Sequence, residues 1–358
     1  MSRKCHHWIS VRRILACLLA GGLLLALSGC GSDAHESSAD ESFELSDDQK
    51  LVIYTAHKPE IYEPIIREFE ERCGVFVEVT AGGTNEILQR IAEDDEKHPG
   101  EAEADLMFGG GVDSLRASSE YFEPYVSSQS EHLDSTYASA TDSYTVFSAL
   151  PPVLIYNTRL VDAGERPKSW ADLLDPNWKG KIAFADPETS GSAYTALMTL
   201  LQVLGEDDTR GPESEVLAQF VANLSGDVIH GSENVVSAVL SGTKLIGVTT
   251  EEVALKKRAE GASIGLVYPT EGSAMLPDGT AILRGCPHPE NARLFLEFTV
   301  SKDVQRMLSD YLYRRSVRTD LDSQTAPATI NYNIDHALDS RDDILARWAE
   351  EVSTSETE

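Results

Sequence analysis

The hydrophobic pattern switches repeatedly between the strand and helix periods. Leu51-Val-Ile-Tyr54 is a short apolar run of strand type. After a turn with His57 and Pro59, Ile61, Ile65, Ile66 and Phe69 recur at helical spacing, and Cys73-Gly74 closes that helix. Val75 to Val79 predicts the next strand. Gly82-Gly83-Thr84 then opens a helix from Asn85 to Ala92, with Glu86 in its first turn. Asp105-Leu-Met-Phe108 predicts a strand running into Gly109-Gly110-Gly111. Strand, helix, strand, helix, strand is the rhythm of a parallel α/β sheet, whose carboxyl-end loops are where ligands bind.

The rhythm resumes further on. Val153 to Tyr156 and Ile182 to Phe184 read as strands, and Thr189-Ser190-Gly191-Ser192 opens a helix from Ala193 to Leu204. Asp227 to Ile229 and Leu245 to Val248 are strands, Glu252 to Ala259 is a helix, and Ile264 to Tyr268 is extended. Pro289 to Phe298 is an amphipathic helix with Pro near its start. A last helix, Ile344 to Glu351, leads into a polar tail. Glu271 and Asp278 fall in Gly- and Pro-bearing stretches and read as turn chemistry. No internal repeat has a fixed period.

Ahead of this pattern lies a different one. Arg12-Arg13 precede the apolar run Ile14 to Leu27, which is shorter than the roughly 20 residues of a membrane span. It has the form of a secretory signal. Its end, Leu27-Ser-Gly-Cys30, resembles the bacterial lipobox, in which the Cys is lipidated and becomes the new N-terminus. Residues 31–49 are rich in Ser, Asp and Glu and read as a disordered acidic tether. The expected organisation is a signal at 1–29, lipidated Cys30 with its tether at 30–49, a first lobe from 50–155 and 269–358 that includes the C-terminal helices, and a second lobe at 156–268. The expected location is the outer face of the cytoplasmic membrane, held by the lipid alone.

Charge sharpens the contrast. The 358 residues hold 59 Asp and Glu against 30 Lys and Arg, a net of −29. Four of those 30 basic residues, Arg3, Lys4, Arg12 and Arg13, leave with the signal, so 26 face 59 acidic ones, a net of −33. Such an acid excess argues against nucleic-acid partners, which need a basic face. It leaves room for a local anion site built from backbone N–H groups. After processing, Cys73 and Cys286 remain as one disulfide or as two buried thiols, alternatives that spacing alone leaves open.

Several ordered motifs carry a resemblance. They are Leu51-Val-Ile-Tyr-Thr-Ala-His57, Ser169-Trp170-Ala-Asp-Leu-Leu-Asp-Pro-Asn-Trp178-Lys-Gly-Lys-Ile182, Asp186-Pro-Glu-Thr-Ser-Gly-Ser-Ala193, Pro289-Glu-Asn-Ala292 and Arg314-Arg-Ser-Val-Arg318. Together, from about Leu51 to about Asp320, the chain resembles bacterial ABC-transporter solute-binding proteins of the ferric-iron, phosphonate and sugar-phosphate group. The resemblance implies a two-lobed periplasmic-binding-protein-like α/β fold (type II) with a ligand cleft between the lobes. It also implies lobe closure on a small molecule, delivery to permease and ATPase subunits, a monomer, and no chemistry or cofactor of its own.

Ferric binders of this group use adjacent tyrosines in the second lobe. The corresponding stretch here, Gly247-Val-Thr-Thr-Glu-Glu-Val253, has none, which weakens the iron reading and leaves no predicted metal ligand. What the sequence supplies instead is Gly, Ser and Thr at helix starts, the groups that favour phosphate or phosphonate. The expected ligand residues are His57, Gly83, Thr84, Gly110, Gly111, Ser190, Gly191, Ser192, His230, Ser232, Thr250, Glu251 and Glu252. Glu251 and Glu252 would meet sugar hydroxyls or a ligand amine. The favoured ligand is a sugar phosphate or aminoalkylphosphonate, with ferric iron and a polyamine-type cation as the competing readings. No GxSxG, HExxH, CxxC or Walker motif points to an enzyme.

Overall fold

Runs of apolar residues too long for a one-sided strand pack into two sheets. The computed structural model describes residues 46, 49–136, 138–205, 212–321 and 327–355, so Cys30, the signal and most of the tether lie outside the described residues. Along the chain come β1 (Lys50–Thr55), α1 (Pro59–Cys73), β2 (Phe76–Ala81), α2 (Thr84–Lys97), β3 (Leu106–Gly111), α3 (Val112–Ala117) and β4 (Thr145–Ala149). Then follow β5 (Pro152–Asn157), β6 (Ile182–Ala183), α4 (Gly191–Gly205), α5 (Glu213–Leu224), α6 (Glu233–Ser241), β7 (Ile246–Thr250), α7 (Glu251–Ala259) and β8 (Ile264–Val267). The chain ends with β9 (Pro277–Ile282), α8 (Pro289–Thr299), α9 (Lys302–Tyr311), β10 (Arg315–Ser316), α10 (Ile334–Asp339) and α11 (Arg341–Ser355).

The first sheet has the order β10-β4-β9-β3-β1-β2, and the second β6-β7-β5-β8. β1 runs parallel to β2 and β3, as the βαβ rhythm predicts. The sheet is nevertheless mixed. β9 inserts antiparallel between β3 and β4, with Met107 opposite Ala281 and Thr145 opposite Thr280. Asp278 therefore belongs to a buried central strand, which corrects its reading as turn chemistry. Pro-Asp-Gly-Thr has poor intrinsic strand character, and burial between two neighbours overrides it. The expected strand Asp227 to Ile229 reduces to a single bridge between Ile229 and Ala185.

Two placements differ from the expected lobe boundaries. β5 lies in the second sheet, because Val153, Leu154 and Ile155 are fully buried between β7 and β8. The C-terminal helix α11 packs on α5 rather than on the first sheet. Trp348 of α11 is buried against Phe184 and Phe220, with ring centroids 5.7 and 6.4 Å away. Fully burying an aromatic of this size contributes on the order of 2–3 kcal/mol, enough to fix the helix there.

One core cluster fills the outer side of the first sheet. In it, Phe108 meets Phe147 and Phe295 edge-on at 4.8 and 5.2 Å. α1 starts on a Pro and stops at Gly74, whose φ of 71° an L side chain would resist. Cys73 and Cys286 are not joined by a disulfide, and burial pushes the Cys286 thiol up to about 12. Among the described residues no helix is long and apolar enough to cross a membrane.

Candidate functional site

The carboxyl ends of β1, β2, β3 and β7 turn into helices around one cavity of about 580 Å³ between the two sheets. The turn after β1 is fixed locally. The Thr55 hydroxyl donates to the Phe108 carbonyl (2.7 Å) and accepts the His57 N–H (3.1 Å), which sets the His57 ring edge-on to Phe108 at 4.6 Å. The opposing loop permits this closeness only through glycine. Gly109 has φ +98°, and a Cβ there would lie 2.9 Å from His57 Nε2.

Most of the expected residues come together. His57, Gly83, Thr84, Gly110, Gly111, Gly191, Ser192, Ser232, Thr250 and Glu252 all line the cavity. Three expected residues are placed otherwise. Glu251 is buried behind the wall, where its carboxylate takes Nε and Nη2 of Arg315 at 2.7 Å each and the Tyr268 hydroxyl. It anchors structure, since both oxygens are spent on these partners. Ser190 Oγ accepts the Ala193 N–H at 3.3 Å and so serves the first turn of α4. The His230 side chain is exposed, and its carbonyl accepts from Asn234 Nδ2 at 2.7 Å.

Sequence reasoning missed the charged part of the wall: Glu60, Asp113, Lys256, Asp278, Arg314 and Arg341. Arg314 is buried and wholly engaged. It donates to Asp278 Oδ2 (2.5 Å), Ser148 Oγ (2.9 Å) and Glu252 Oε2 (3.0 Å). Burial alone would lower its guanidinium, but Asp278 and Glu252 more than offset this and hold it above the usual range. Lys256 of α7 reaches Glu60 of α1 at 2.9 Å, an exposed pair that spans the mouth. That bond lowers the Glu60 carboxyl and raises the Lys256 ammonium.

His57 is neutral. Its burial pushes the imidazole down to about 3, aided by Arg314 and opposed by Asp278, whose Oδ2 lies 3.7 Å from Nδ1. Nε2 has no hydrogen-bond partner. Burial also raises the Asp113 carboxyl, against the pull of the Ser114 N–H and of Arg341. Among the described residues no three His, Cys, Asp or Glu side chains form a metal cluster.

The helix ends complete the chemistry. The first turns of α1, α2, α4, α6 and α7 all contribute to the lining. No N-cap side chain caps α1, α2, α6 or α7. α1, α2, α6 and α7 carry Glu60, Glu86, Glu233, Glu251 and Glu252 in their first turns, which offset their positive dipole ends, and Glu86 Oε2 accepts the Gly83 N–H at 3.2 Å. α4 has no acidic residue there. The cavity can therefore hold a small polar molecule with an anionic end toward α4.

An uncharacterized protein of Haemophilus influenzae is 30% identical over 326 residues, covering 85% of this chain and 90% of its own. Iron uptake protein A1 of Synechocystis is 24% identical over 306 residues, covering 81% of each. Among solved structures, the periplasmic binding protein AfuA of Actinobacillus pleuropneumoniae, bound to fructose 6-phosphate, superposes with a TM-score of 0.72. It is 24% identical and covers 85% of this chain and 98% of that one, a likeness that carries the two-lobed fold. The profile of the bacterial extracellular solute-binding proteins matches residues 101–334, well over half of the sequence, and the chain belongs to that family.

Proposed function

We propose that the protein is the solute-binding component of an ABC importer and captures a small phosphorylated or phosphonate anion. The observation that carries this reading is the helix start at Gly191-Ser192, which lines the cavity and has no acid in its first turn. Backbone N–H groups at the positive end of a dipole stabilise a phosphoryl group at contact range. Thr84, Ser192, Ser232 and Thr250 add hydroxyl donors, and Glu252 faces the same space. Closure of the two lobes would bury the ligand, with Lys256 and Glu60 meeting across the mouth. The closed form then engages permease and ATPase subunits, and the protein itself transforms nothing. Cys30 would carry the lipid that holds this monomer at the membrane surface.

A thermal-shift series tests the reading. Fructose 6-phosphate or 2-aminoethylphosphonate should raise the melting temperature at millimolar excess, because a ligand at about 100 times its Kd adds about 2.7 kcal/mol to the folded state. Stabilisation by ferric citrate or spermidine, with none by any phosphoryl compound, would overturn it.

A further inference from the structure

We propose that Arg341, delivered by the C-terminal helix, reads the full charge of the phosphoryl group and sets a preference for dianionic over monoanionic ligands. The inference rests on the anion-binding reading above and adds to it a specificity residue from a distant part of the chain.

Arg341 is the first residue of α11 and lines the cavity. Its guanidinium carbon stands 4.3 Å from the ring centroid of Tyr194, which lies in the first turn of α4, just after Gly191 and Ser192. The platform is fixed, since Tyr194 is buried and its hydroxyl donates to the Ala337 carbonyl at 2.5 Å. Stacking orients the guanidinium plane without using its N–H groups. Among the described residues none of those donors has a hydrogen bond or a contact ion pair. The neighbouring cations differ. Arg314 is spent on Asp278, Glu252 and Ser148, Lys256 on Glu60, and Lys257 on Glu260. Lys58 stands exposed at the N-cap of α1.

A second observation concerns placement. A cation at the start of a helix opposes the dipole, where an acid would stabilise. Arg341 accepts that penalty in front of Asp342 and Asp343, which occupy the favourable acidic positions. Residues that break a local rule mark sites where another demand wins. His57 lines the same cavity, with its Nε2 buried without a hydrogen-bond partner against Gly109.

The test measures affinity for fructose 6-phosphate, a dianion near neutral pH, and for fructose 6-sulfate, a monoanion of the same shape. Wild type should prefer the phosphate by about 10-fold or more. R341Q should lose about 10–100-fold for the phosphate and much less for the sulfate, because a charge-assisted bidentate bond is lost. R341K keeps the charge without the fork and should fall between. It also keeps the test open if R341Q does not fold. Wild type binding the phosphate with R341Q and R341K unchanged would overturn this inference and leave the anion reading standing. Wild type binding neither phosphorylated sugars nor phosphonates would overturn both.

Discussion

Replacing Arg314 with Met removes the guanidinium and keeps most of the stem. Its side chain is 7% exposed, and the carboxylates it leaves behind, Asp278 and Glu252, are 7% and 13% exposed. The variant therefore strands two buried acids at once. Removing one partner of a buried ion pair costs about 3–5 kcal/mol, since the remaining charge stays desolvated. The Ser148 N–H and hydroxyl still hold Asp278 Oδ1 at 3.1 and 2.6 Å, so Glu252 loses more support than Asp278. A loss near the lower end of that range follows. Urea unfolding followed by tryptophan fluorescence measures it as a lower midpoint at constant slope. The triple variant R314M/D278N/E252Q discards the charges together and should recover most of the loss, because an ion cluster replaced as a unit is close to neutral. A single variant within about 1 kcal/mol of wild type, or a triple variant no better than the single, would refute the argument.

Other expectations follow from the same geometry. His57 binds no proton when folded until about pH 3, against an ordinary value of 6.5, so the unfolded chain takes up the extra proton between those values. Stability is full above pH 6.5 and declines on acidification by up to about 1.4 kcal/mol per pH unit. Urea midpoints at pH 7 and pH 5 should converge in H57Q relative to wild type. Gly109→Ala places a Cβ 2.9 Å from His57 Nε2 at φ +98° and should cost about 1–3 kcal/mol, read as a lowered urea midpoint. Lys256→Ala removes an exposed pair worth about 0–1 kcal/mol and should leave unfolding almost unchanged. Its effect belongs to closure, so stopped-flow release of fructose 6-phosphate should be several-fold faster, and an unchanged rate would sink the latch.

The parts of the fold legible in the sequence are those with local periodicity. Ile61, Ile65, Ile66 and Phe69 announce α1, and the glycine and threonine at the ends of β2 and β3 announce the cavity rim. β9 escaped because Pro277-Asp-Gly-Thr lacks the apolar alternation of a strand. It is held in a central position by neighbours on both sides and by a charge pair 36 residues away in sequence. Glu251 and Glu252 show the same limit at single-residue scale. Both looked like cleft acids, yet one step along the helix separates a carboxylate locked under Arg315 from one that faces the cavity. Side-chain direction at a helix start depends on partners that no local pattern names.

Arg341 changes the meaning of the acid excess. At physiological salt the screening length is about 8 Å, so acids on the tether and the outer surface weigh little inside the cleft. On the anion-binding reading, binding there is decided by groups at contact range, namely the first turn of α4 and the guanidinium stacked on Tyr194. The acid excess still acts on approach, where it repels an incoming anion. Salt should therefore speed association of a phosphorylated ligand while weakening its hold only slightly, the reverse of a site that draws its ligand in by a basic surface. The C-terminal helix supplies the guanidinium of this constellation. It can do so because Trp348 pins α11 between Phe184 and Phe220 and so fixes where the helix begins.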